Sequence, residues 1–189
     1  MKCVDYITPL LSYFPDITEF NTRQTSPATT EYNCIAWACG KNNVCFWPDR
    51  RQLYSWPIPR RENSISAFED LFSSIGYVRC ADASKEAGFL KIAIYADKRG
   101  KPTHAARQLK TGKWTSKLGE YIDIEHDSPE VLNGPKYGVA KVFMKKKCSP
   151  CSFLLAFKQR ITRLWAFLVK ISPALTPPSR FYGETRPEL

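Results

Sequence analysis

The sequence predicts an α+β domain, and three observations predict it. A short apolar run headed by a cysteine, Cys34 to Gly40, has the composition of a brief helix. Ile65, Phe68, Leu71, Phe72 and Ile75 recur at helical spacing. From Phe89 to Lys117 the residues alternate and are punctuated by turn residues, the pattern of an antiparallel β-meander. With 189 residues, 43% apolar and 24% charged, the chain is long enough for one domain with a proper core.

The elements follow in order. Residues 1–30 read as an irregular lead-in, apolar around Tyr6, Leu10, Leu11 and Phe14, then polar with Pro15 and Pro27. Residues 31–147 hold the α+β domain. Thr29, Thr30 and Asn33 are cap-type residues before Cys34, and Gly40 is a natural stop. Pro48, Pro57 and Pro59 break up regular hydrogen bonding between Val44 and Arg61, so that segment is expected as a loop packed by Phe46, Trp47 and Trp56. Ser64 caps the next helix and Gly76 ends it. Strands are then predicted over Phe89–Tyr95, His104–Leu109, Lys113–Lys117 and Tyr137–Met144, with turns at Asp97–Pro102 and Lys110–Gly112. Residues 148–189 change character. Phe153, Phe157, Ile161, Leu164 and Leu168 share one side of a predicted helix over residues 152–171, Lys158, Arg160 and Arg163 lie on the other, and a Pro-rich tail follows. Charge interrupts this appended amphipathic helix too early for a bilayer span, which leaves packing or a peripheral membrane contact as its roles.

The net charge of +10 is concentrated. Lys98, Arg99, Lys101, Arg107, Lys110, Lys113 and Lys117 occur within twenty residues that contain no acidic side chain. Lys98, Arg99, Lys101, Lys110 and Lys113 therefore form a candidate anion-binding hairpin for an acidic partner or nucleic acid. Seven cysteines without repeated spacing, in a chain whose first residues do not read as a Sec-type signal, point to reduced thiols. The expected location is cytoplasmic, or export by a route without such a signal. Cys148 and Cys151 have the spacing of half a zinc knuckle with no second pair, so no metal and no cofactor is expected. His126, between Glu125 and Asp127, reads as an exposed, carboxylate-paired histidine with a raised pKa.

The chemistry centres on Cys34. A thiol in the first turn of a helix, near a histidine, has a lowered pKa and an increased thiolate fraction. Only two histidines are available, and His104, on a predicted strand, is the candidate base. A third polar group must hold the other ring nitrogen. If the Lys110–Gly112 turn closes as predicted, Ser116 stands opposite Ala106 on the face of His104, with Gln108 on that face too, while Asp123 and Glu125 offer charge from the following segment. For an oxyanion, the Cys34 amide is the natural donor, with Asn33 or Gln24 adding a side-chain amide. These residues describe a thiol-dependent hydrolase or acyl transferase acting on a peptide or other acyl substrate. The alternative is a non-catalytic interaction module with Cys34 in the core.

The strings at residues 32–38, 102–108, 114–119 and 123–126 resemble those of an uncharacterised family of bacterial proteins. More distantly, the layout resembles the papain-like superfamily and its NlpC/P60 branch of cysteine peptidases. That resemblance implies a papain-like arrangement of a helix-start cysteine against an antiparallel sheet, with Cys34 as nucleophile and His104 as base. Ser116 stands where the family has its third polar residue.

Overall fold

The computed structural model describes residues 6–148. The predicted helix over 152–171, the tail, Cys3 and Cys151 lie outside the described residues. The elements are a 3-10 turn at Thr8–Leu10, β1 (Thr22–Ser26), α1 (Cys34–Ala38), α2 (Ile65–Ser74), β2 (Val78–Cys80), β3 (Phe89–Ala96), β4 (Pro102–Gln108), β5 (Trp114–Lys117), β6 (Asp123–His126), a 3-10 turn at Pro129–Leu132, and β7 (Val139–Lys147). The strands form one antiparallel sheet in the order β1-β6-β5-β4-β3-β7-β2.

This corrects the expected fold class. Over the described residues the domain is mainly β, with α2 as the one substantial helix among them, and is not a papain-like α+β arrangement. The reason lies in three strands that local pattern did not announce. β1 lies in the segment expected to be irregular, β2 is only three residues long, and β6 alternates Asp123, Ile124, Glu125 and His126 with a single apolar member. Each becomes a strand by completing a ladder beside a neighbour, which satisfies its backbone groups irrespective of propensity.

Elsewhere the local rules hold. Ser64 caps α2 by accepting from the Ala67 amide, and the helix buries Ala67, Phe68, Leu71 and Phe72. Residues 44–61 form a loop whose Trp47 and Trp56 rings lie 5.6 and 5.3 Å from Phe68.

The alternation of the central strands splits the interior into two cores. Ile92, Ile94, Ala105, Val142 and Met144 join α1, α2 and the aromatic loop on one face. Ala93, Tyr95, Ala106, Trp114 and Ile124 join Leu10, Phe14, Ile17, Leu132 and Tyr137 on the other. The pairing of β3 with both neighbours slips at Tyr95, the residue opposite His104. Such bulges bend a strand and re-aim its side chains.

Candidate functional site

Cys34 is the first residue of α1, as its cap chemistry predicts. Asn33 Oδ1 accepts from the Ala36 amide at 3.1 Å and from the Phe46 amide at 3.1 Å, while its Nδ2 donates to the Phe46 carbonyl at 2.8 Å. The Asn33 side chain thus ties helix to loop and is engaged structurally, not presented to a substrate. α1 is only five residues long and packs on β4 and β5. The backbone amides of Ala105 on β4 and of Ile35 and Cys34 itself act to lower the Cys34 thiol pKa.

Those amides do not prevail. Cys34 is 8% exposed, and burial pushes its thiol up to about 11, reversing the expectation of a lowered value. At rest the sulfur is a thiol.

α1 packs on β4, the strand of His104, and Cys34 joins the first core together with Ala105, the residue that follows His104. The imidazole packs with the second core, its ring stacked on Tyr137 at 4.0 Å and 5° and edge-on to Tyr95 at 5.1 Å. Cys34 thus packs in the first core and the His104 imidazole with Tyr137 in the second, on the two sides of β4. They are not hydrogen-bonded at rest, because His104 Nδ1 is buried with no hydrogen-bond partner.

The other ring nitrogen is held. His104 Nε2 is 3.1 Å from Ser116 Oγ, in the register the turn predicts. Ser116 Oγ is in turn 3.0 Å from His126 Nε2, and His126 Nδ1 is 2.7 Å from the Ser128 carbonyl. All three side chains of this row are fully buried. Burial holds the His104 imidazole well below its ordinary value and takes His126 down to about 4.

His126 was expected at the surface with a raised pKa, and both points are corrected. β6 directs Ile124 and His126 into the second core, while Asp123 and Glu125 face the other side. The signal was present in the sequence, since His126 lies two residues beyond Ile124, and Ile124 pairs with Ser116.

The remaining candidates fall elsewhere. Asp123 accepts from the Tyr32 hydroxyl at 2.5 Å, and Glu125 pairs with Arg23 at 3.4 Å, so neither orients His104. Gln108 shares the His104 face but donates to the carbonyls of Ala83 and Gly112. Gln24 is exposed on the edge strand β1, with β6 and β5 between it and β4.

The basic residues do not form one patch. Successive turns of a meander lie at opposite ends of the sheet, so Lys98, Arg99 and Lys101 stand at one end of β4 and Lys110 and Lys113 at the other. Lys113 is paired with Asp127 at 2.9 Å, Arg107 lies over the Trp37 ring at 4.2 Å, and Lys117 is buried. No group of three or more His, Cys, Asp or Glu side chains among the described residues is arranged to hold a metal ion, and no described helix is long and apolar enough to cross a membrane.

Fold and site together define a single-sheet, mainly β domain with a buried thiol in one core and, in the other, a buried histidine held at one ring nitrogen by a serine. The chain belongs to a family described as a domain of unknown function (DUF7689), whose match spans residues 23–145, well over half the sequence. 

The matched residues include Cys34, His104, Ser116, His126 and Ser128 alike. No curated protein and no solved structure matches the chain.

Proposed function

We propose that the protein is a thiol-dependent hydrolase or acyl transferase acting on an amide or related acyl bond, with Cys34 as nucleophile and His104 as base. One observation carries this reading. The helix that begins at Cys34 packs on β4, and on β4 His104, pinned at Nε2 by Ser116, keeps a buried Nδ1 with no hydrogen-bond partner among the described residues. An unpaired buried polar atom costs free energy, on the order of 1–3 kcal/mol, and such costs concentrate where a group is kept for use.

The reaction starts from a neutral pair. The Sγ–H proton passes to His104 Nδ1 as sulfur attacks the acyl carbon, the imidazolium returns that proton to the departing amine or alcohol as its bond to carbon breaks, and water or a second acceptor then takes the acyl group from sulfur. A pocket of about 250 Å³, lined in part by Tyr32, Asn33, Cys45, Trp47 and Tyr54, opens at the cap of α1 and suits a small acyl group. The Cys34 amide is the oxyanion donor in this scheme.

Exposure to p-nitrophenyl acetate tests the proposal. Peptide mapping should find the acetyl group on Cys34 ahead of the other cysteines, and His104→Ala should slow that acylation by about 10²- to 10⁴-fold. Acylation spread evenly over the cysteines, or indifferent to His104→Ala, overturns it.

A second reading, an interaction module for an acidic partner, is favoured by one feature. A groove of about 690 Å³ at the β3–β4 turn is lined by Lys98 and Arg99 with Gly134, Pro135 and Gly138. Gly138 has φ +73°, and a Cβ there would lie 1.9 Å from the Ala96 carbonyl oxygen, so the groove wall needs glycine. Replacing Lys98, Arg99 and Lys101 with alanine should then weaken retention on heparin, whereas replacing Lys110 and Lys113 should not.

A further inference from the structure

We infer that His126, acting through Ser116, is a positioning residue that fixes the His104 tautomer so that the lone pair is at Nδ1. The inference deepens the reading of Cys34 and His104 as nucleophile and base, and its catalytic meaning rests on that reading.

The argument is a count of protons along the buried row. The Ser128 carbonyl only accepts, so His126 Nδ1 carries the hydrogen of their 2.7 Å bond. His126 lies in an apolar interior, and a neutral imidazole protonated at Nδ1 presents a lone pair at Nε2. Ser116 must therefore donate to His126 across 3.0 Å. A hydroxyl has one hydrogen, so towards His104 the same oxygen accepts, and His104 Nε2 carries the hydrogen of the 3.1 Å contact. A neutral His104 protonated at Nε2 has its lone pair at Nδ1, the atom left without a hydrogen-bond partner.

Each bond thus takes its direction from the Ser128 carbonyl. The serine alone cannot set that direction, since a hydroxyl bonded only to His104 is free to rotate to donate or accept; His126 removes the choice. Protonating His126 would put a hydrogen on its Nε2, turn the Ser116 hydroxyl round and move the His104 hydrogen to Nδ1. The groups that bear on this row are the Tyr95 and Tyr137 rings at His104 and the Asp127 and Glu130 carboxylates at His126.

Nuclear magnetic resonance of the ring nitrogens tests this directly, because the chain has only two histidines. At neutral pH one ring should be the Nε2–H tautomer, assigned to His104, and the other the Nδ1–H tautomer, assigned to His126. His126→Gln, whose amide oxygen accepts from Ser116, should keep the His104 tautomer; His126→Phe should lose it and slow Cys34 acylation by about tenfold or more. An Nδ1–H His104 in the unmodified protein overturns the inference without any variant, as does a tautomer unchanged by His126→Phe. If both tautomers are found but Cys34 is not acylated, the hydrogen-bond direction stands and the hydrolase reading fails. If Cys34 is acylated but His104 is the other tautomer, only this inference fails.

Discussion

On the helix-covered face of the sheet the buried polar groups include charges, and α1 meets them. Tyr32 donates to Asp123, Trp37 Nε1 donates to Thr115 Oγ1 at 3.2 Å, Arg107 lies on the Trp37 ring, and Lys117 Nζ donates to the Tyr121 carbonyl. On the opposite face the polar row His104–Ser116–His126 has no salt-bridge partner among the described residues and runs between apolar and aromatic side chains. The first arrangement tolerates charge because opposite signs and ring faces lie close by. The second is stable only while its histidines are neutral, so the two faces should respond differently to truncation and to pH.

The largest effect should come from the apolar part of the helix-covered face. Phe68 is fully buried between Trp47 and Trp56, and Phe68→Ala should cost about 3–5 kcal/mol by urea denaturation. A loss below about 1 kcal/mol would mean that α2 and the aromatic loop are not the packed wall described.

The next effect separates the faces by pH. His104 and His126 have folded values below the unfolded value near 6.5, so the unfolded chain binds protons first as the pH falls. Their contribution is fully present above about pH 6.5 and is lost as the pH falls towards 4. From the shift to about 4, His126 alone accounts for about 3 kcal/mol of that loss. Denaturation midpoints between pH 7 and 4 should fall, and His126→Gln should flatten the slope. An equally steep profile in that variant would locate the acid sensitivity elsewhere.

Smaller changes sharpen the picture. Asn33→Ala removes the acceptor for the Ala36 and Phe46 amides and should cost about 1–2 kcal/mol. Because the same cap positions Cys34, it should also change the reactivity of that thiol, read by the acylation assay. Lys113→Ala breaks an ion pair whose partners are both about half exposed and should change stability by less than about 1 kcal/mol. A larger loss would show that the β4–β5 turn depends on that pair.

Much of this architecture was legible before any tertiary information. Cap residues and periodicity located α1, α2, β3, β4 and β5, because each is specified by side chains within one window. Ser116 was found through the register of a short hairpin, in which turn length fixes the pairing. What escaped was non-local. β1 and β2 carry little apolar signal and exist because a neighbouring strand offers them hydrogen bonds.

The amino-acid sequence by itself determined the start of α1 at Cys34 and the hairpin that puts Ser116 beside His104. These follow from capping, alternation and turn chemistry, all short-range. Only the tertiary structure decided that the thiol is buried, that the basic turns lie at opposite ends of the sheet, and that His126 stands behind Ser116. Burial and proton affinity depend on what the whole chain packs around a group, and a window of sequence contains only that group's own neighbours along the chain.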